Sequence, residues 1–198
     1  MDESLGVELA PDSIVFHTYP FPGARVHPSG VVPWSDVVEV EPDGFPPEIR
    51  LAGETLFISA DRAIELRREA AAHGVPSVSR RDVWGLLLEP FLDTTFSPAE
   101  EERTLAAIER LGIPRREAKR IRKRVETRML AYNAICWEWV HLGMWDLFQA
   151  HLPHPLIGAI FGDDAFRDLY RWAQEIAHRA LAATRTAESP PERADTPA

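Results

Sequence analysis

Near Asp61 the chain changes character, and that break constrains what it can fold into. Residues 1–61 carry eleven acids against two bases, Arg25 and Arg50, a balance of −9, whereas residues 62–198 carry twenty of each. Before the break, short runs of β-branched and aromatic residues are cut by Pro and Gly. After it, apolar residues recur at helical spacing. A period-two pattern and a period-3.6 pattern do not build the same element, so the expected class is α+β. Residues 1–78 are expected to form a small antiparallel β-sheet module with a packed helix at 61–73. Residues 79–184 are expected to form an α-helical bundle with one long helix at 114–150, and 185–198 a disordered tail. A chain of 198 residues is long enough to bury a core without staples.

In the acidic module the strand candidates are 13–19 (Ser-Ile-Val-Phe-His-Thr-Tyr), 31–32, 37–41 (Val-Val-Glu-Val-Glu), 48–51 and 55–58. Ala52-Gly53-Glu54 between the last two predicts a hairpin, and Pro42 to Pro47 predicts a loop. The run His27-Pro-Ser-Gly-Val-Val-Pro-Trp-Ser-Asp-Val-Val-Glu-Val40 resembles the strand–turn–strand of bacterial pleckstrin-homology-like domains. The helix from Asp61 to Ala72 stands where such domains place their closing helix. The resemblance covers residues 13–73 and implies a small curved sheet with a helix against it.

Beyond Asp61 the punctuation is helical. Asp61 is placed to cap residues 62–72 ahead of Gly74, and Val75–Val78 to return to the sheet as a short strand. Ser79 is expected to cap a helix bearing Val83, Trp84 and Leu86–Leu88 that Pro90 stops. Ser97-Pro-Ala-Glu100 reads as a capping box with Pro at the first helical position. The pattern from Pro114 to Ala150 is apolar at 118, 121, 125, 129, 132, 136 and 140, with Asn133 or Gly143 as sites for a kink. Asp163 begins the last helix, whose stripe is Phe166, Leu169, Ala173, Ile176 and Ala180.

Composition removes several classes of function. One cysteine, Cys136, excludes an internal disulfide and a cysteine-based zinc site. The stretch Leu130–Phe148 has spanning length but carries Asn133, Glu138, His141 and Asp146, and an acid at a bilayer centre costs about 2.5–3.5 kcal/mol. With an acidic N-terminus that has no signal-peptide core, the expected location is the cytoplasm and no membrane partner is expected. Phosphate loops, nucleophile elbows, metalloprotease motifs and dinucleotide fingerprints are absent from the sequence.

Two constellations and one aromatic pair remain. Glu138-Trp-Val-His141 and Glu175-Ile-Ala-His178 are both Glu-x-x-His, the element that ferritin-like bundles use in pairs for iron or manganese. An antiparallel pairing around residues 153–162 sets 138 level with 178 and 141 level with 175, with Glu89 as a third carboxylate. On the alternative reading these residues would hold iron, manganese or zinc. Against it, Glu175 and His178 lie about 160° and 140° around the helix from the stripe at Ala173. Without that centre, no cofactor is expected.

The second constellation is basic: Arg115, Arg116, Lys119, Arg120, Arg122, Lys123 and Arg124 crowd one stretch of helix, with Arg128 beyond. Following a helix and Gly112-Ile-Pro114, it resembles a helix-turn-helix entry able to lie along phosphates or an acidic partner. The acidic chain as a whole opposes nucleic acid, and the nearby glutamates offer ion pairs instead. Trp137 and Trp139 lie about 200° apart on one helix, so one of them is a candidate for an interface. The expected function is a non-catalytic cytoplasmic adaptor or regulatory protein working through protein–protein contacts, homodimeric ones included. Metal-dependent chemistry and nucleic-acid binding are the alternatives.

Overall fold

A computed structural model describes residues 6–80, 82–92, 96–136, 141–152 and 163–188. It is an α+β fold in which two three-stranded antiparallel sheets precede the helices. The first sheet comprises β1 (Val7–Leu9), β2 (Ser13–Phe16) and β3 (Gly30–Pro33), in that order. The second comprises β4 (Val37–Glu41), β5 (Glu48–Leu51) and β6 (Glu54–Phe57). One sheet was the expectation. The chain makes two because a single tight turn, Trp34–Asp36, follows Pro33 and redirects the strand path. The Trp34 indole donates to the Ala10 carbonyl at 3.0 Å and stacks on His73 at 4.9 Å, fastening that corner. Strand β1, Val-Glu-Leu, is too short for a two-residue period to reveal.

The β5–β6 hairpin forms as expected, with Gly53 at φ +93° supplying the left-handed turn residue. The returning segment at 75–78 also forms: Ser77 bridges Val40 in parallel, and the Val40 amide and carbonyl bond Pro76 and Val78 at 2.9 Å each. On the far side of the second sheet, the Gln174 carboxamide takes both backbone groups of Thr55. Thr55 N–H donates to Oε1 at 2.9 Å and Nε2 donates to the Thr55 carbonyl at 2.8 Å. The Phe57 amide donates to the Tyr19 hydroxyl at 3.1 Å.

The helices are α1 (Ala63–Ala72), α2 (Val83–Leu88), α3 (Pro98–Arg110), α4 (Arg115–Cys136), α5 (Met144–His151) and α6 (Asp163–Glu188). The capping box at Ser97 and Glu100 is present, with bonds of 2.7 and 3.3 Å. Three expectations are corrected. Helix α2 is capped by Asp82, whose Oδ1 accepts from the Trp84 amide at 2.8 Å, and not by Ser79. The segment 114–150 is not one helix: residues 141–143 are non-helical, and α5 starts afresh at Met144. At Gly143 the backbone is extended, and its amide donates to Asp146 Oδ2 at 2.8 Å, which gives α5 its own N-terminal cap. Helix α6 runs past Thr184 to Glu188, and Arg185 in that added turn reaches Glu39 at 3.1 Å.

One hydrophobic cluster runs through sheets and helices alike, from Ile14 and Phe16 to Ile108, Val125 and Ala173. Its centre is aromatic. Phe148 of α5 lies 4.7 Å from the Tyr170 ring and 5.1 Å from Phe21, and Trp145 lies 5.6 Å from Phe57. The sequence-derived stripe of α6 is buried as expected, with Tyr170, Ala177 and Leu181 added to it.

Candidate functional site

Strand alternation builds the site. Antiparallel pairing sets Glu41 opposite Glu48, Glu39 opposite Arg50, Arg50 opposite Thr55 and Glu48 opposite Phe57. Residues directly opposite share a face, so the charged residues of β4 and β5 all lie on one side of the second sheet. Val40, Ile49, Leu51 and Leu56 occupy the other side and are buried. A register shift between Val37 and Glu39 inserts one extra residue, Val38. Without that bulge Val37 and Glu39 would share a face; with it, Glu39 sits beside Arg50.

Arg50 is the hub. Its guanidinium donates to Glu39 at 3.2 Å, to Glu48 at 2.7 Å and, by a short contact, to Glu41. Glu39, Glu41 and Arg50 are all buried. Arg80 donates through Nε to Glu39 at 3.1 Å and through its amide to Glu41 at 3.0 Å. Arg185 of α6 closes the ring on Glu39. Burial opposes ionisation of Glu39, but the bonds from Arg80 and Arg185 outweigh it and hold the carboxyl below its ordinary value. Glu48 is different. Burial pushes its carboxyl up to about 7 against the attraction of Arg50, and Asp82 and Glu41 add to the rise.

This ring forms one wall of a cavity of about 250 Å³ between β5 and the helices α2 and α6. Asp82, His141 and the fully buried Trp84 line it from the helical side, and Phe45 stands at the rim, 73% exposed. His141 Nε2 lies 3.5 Å from Asp82 Oδ2. Glycine makes that approach possible: a Cβ on Gly85 would come within 2.8 Å of the imidazole, and one on Gly143 within 3.0 Å.

The metal set of the alternative reading does not assemble among the described residues. Glu138 lies outside them, as do Trp137 and Trp139. His141 belongs to the non-helical segment before α5, so it is not displayed on a helix face for a Glu-x-x-His pair. Glu175 is exposed on α6. His178 is half-buried and its Nε2 has no hydrogen-bond partner, while burial, with Arg185 and Arg50 nearby, lowers its proton affinity. Glu89 accepts from the Thr104 hydroxyl at 2.6 Å, a structural role. No three His, Cys, Asp or Glu among the described residues are placed to hold a metal ion.

The basic run is largely paired. Arg115 bonds Glu102 at 2.7 Å and Glu109 at 3.1 Å, Lys119 lies 3.5 Å from Glu101, and Lys123 bonds Glu126 at 2.7 Å. Arg122 is buried and donates to the Leu86 and Leu87 carbonyls, and Arg124 lies 4.0 Å above the Trp172 ring. Arg116 and Arg120 are exposed. Lys119, Arg122 and Lys123 border a second, more open cavity of about 300 Å³, together with Glu101 and Glu126.

Sequence reasoning passed over Glu39, Glu41, Glu48, Arg50, Arg80 and Asp82. A signal was present: Arg50 is one of two bases among the first 61 residues, and it stands two residues from Glu48 on a strand. Compared with protein-family models, curated proteins and solved structures, the chain matches none.

Proposed function

We propose that this is a non-catalytic adaptor or regulatory protein of the cytoplasm, acting through protein–protein contacts, and that its recognition surface is the charged cleft. The observation that carries this reading is the cleft itself: an open cavity of about 250 Å³ walled by acidic and basic side chains and flanked by an exposed phenylalanine. Aromatic residues and arginine are the groups that protein interfaces are enriched in. The position of α1 directly after the strands supports the resemblance of residues 13–73 to pleckstrin-homology-like domains.

Self-association is a second arm. Leu130 and Ile135 of α4 are 50% and 72% exposed, immediately before Trp137 and Trp139. The pairing of the basic run with glutamates weighs against nucleic acid as the partner.

Cross-linking of the untagged chain in cells, read by mass spectrometry, tests the proposal. Cross-links from residues 43–48 or 177–185 to a partner protein are expected, and Phe45→Ala should diminish them. Cross-links scattered over other surfaces and indifferent to Phe45 would remove the cleft as the recognition surface. Sedimentation velocity tests the second arm: a dimer that Ile135→Asp or Trp139→Ala dissociates is expected, and a monomer at every concentration would eliminate it.

A further inference from the structure

Resting on that reading, we infer that the cleft receives an arginine side chain of the partner protein, its guanidinium meeting Glu48 and its stem lying against Phe45. The first support is the charge count. Among the described residues that line the cavity, the carboxylates Glu41, Asp43, Glu48 and Asp82 outnumber the guanidiniums Arg50 and Arg80.

The second support is which oxygens are taken. Glu39 meets three arginines, and Glu41 is bonded by Arg50 and by the Arg80 amide. Asp82 Oδ1 caps α2 and Oδ2 faces His141. Glu48 bonds Arg50 through Oε2 alone, so Oε1 receives no hydrogen bond from the described residues. With 19% of its side chain accessible, Glu48 is withdrawn enough to lose hydration yet reachable from the cavity. Burial raises the proton affinity of Glu48 more than Arg50 lowers it, so a second guanidinium at Oε1 would favour its carboxylate form.

The third support is shape and chemistry at the rim. A ligand cavity for a cofactor or drug-sized molecule occupies about 300–1,000 Å³. The present one, at about 250 Å³, fits a single long side chain. Phe45 presents an aromatic face at 73% exposure, on which a planar guanidinium or its methylene stem can stack. Guanidinium also forks onto carboxylates where ammonium acts as a point charge.

The test is a titration of the full ¹⁵N-labelled chain with Nα-acetyl-arginine amide, with the citrulline and lysine counterparts in parallel. Citrulline has the same shape without the charge. Saturable shifts at residues 41–50, 82–85 and 177–181 with the arginine probe, absent with citrulline, are expected. The lysine probe should bind several-fold more weakly. Glu48→Gln and Phe45→Ala should each weaken binding several-fold while leaving the rest of the spectrum unchanged. Absence of saturation with arginine, or equal shifts with citrulline, would overturn the proposal. Lysine equal to arginine would overturn the guanidinium assignment. Free L-arginine binding more tightly than the amide would make the occupant a small molecule and overturn the partner side chain. Should the titration fail while cross-links to the cleft persist, the adaptor reading stands without this inference. Should the titration succeed and the cross-links fail, the adaptor reading falls alone.

Discussion

Ile49 and Arg50 are neighbours in the chain and live on opposite faces of the same sheet. Both are buried, Ile49 at 0% and Arg50 at 5% exposure, yet their faces have different logic. The Ile49 face is apolar and needs only to be filled. The Arg50 face holds three carboxylates around one guanidinium, and each ion there is stable only while its partners remain. A buried ion ring of this kind contributes little net stability over an apolar filling, whereas removing one member is costly. The apolar face therefore holds the fold, and the charged face is free to carry chemistry.

The largest effect is expected on the apolar face. Ile49→Ala should cost about 3–4 kcal/mol in urea unfolding, since a buried Ile is replaced by a cavity. Neutralising charges elsewhere should not restore it. Arg50→Met should cost about 3 kcal/mol by leaving carboxylates unpaired, but adding Glu41→Gln and Glu48→Gln should recover about half or more. A triple variant no more stable than Arg50→Met would show that the two faces do not differ in this way. Gln174→Ala removes both bonds to Thr55 and should cost about 2 kcal/mol, because a buried amide and carbonyl lose their partners together.

The smallest effect depends on pH. Glu48 is raised to about 7 in the folded chain from an ordinary carboxyl value near 4.5. The folded state therefore holds this proton more tightly, and the stability it contributes is present below about pH 4.5 and lost as pH rises to about 7. Glu48→Gln should be near neutral at pH 5 and should gain about 1–2 kcal/mol over the parent by pH 8. His151 runs the other way: burial lowers it to about 4, so its contribution is lost as pH falls from about 6.5. Comparing variant with parent at each pH cancels that opposing slope. A constant difference from pH 5 to 8 would remove Glu48 as the titrating group.

Element type was legible where punctuation was strong. Ser97 and Glu100 announce α3, and Asp163 announces α6, because caps and amphipathic stripes are local properties. The division of the 114–150 segment was half legible: Gly143 stood out as a site for a kink, but apolar residues continue beyond it at Met144, Leu147 and Phe148 and so concealed a full break. The site was hidden for a different reason. Glu39 and Glu41 read as the solvent side of an alternating strand, and only the packing of α6 and Arg80 against that side turns them into a buried ring. The Glu-x-x-His pairs show the converse, a local spacing that the fold does not assemble among its described residues.

The hydrogen bonds flanking the second sheet have a consequence for how chains of this protein meet one another. A sheet border with unsatisfied amides and carbonyls is a template on which another chain can add a strand, the first step of edge-to-edge aggregation. Here one border is occupied by Pro76–Val78 along β4. The other is occupied by two side chains, the Gln174 carboxamide imitating a neighbouring peptide unit and the Tyr19 hydroxyl receiving the Phe57 amide. A partner that approaches the second sheet along β6 meets the Thr55 amide and carbonyl and the Phe57 amide already engaged, which favours recognition through side chains. Conversion of Gln174 to Glu by deamidation would set a carboxylate oxygen against the Thr55 carbonyl and reopen that border to strand addition.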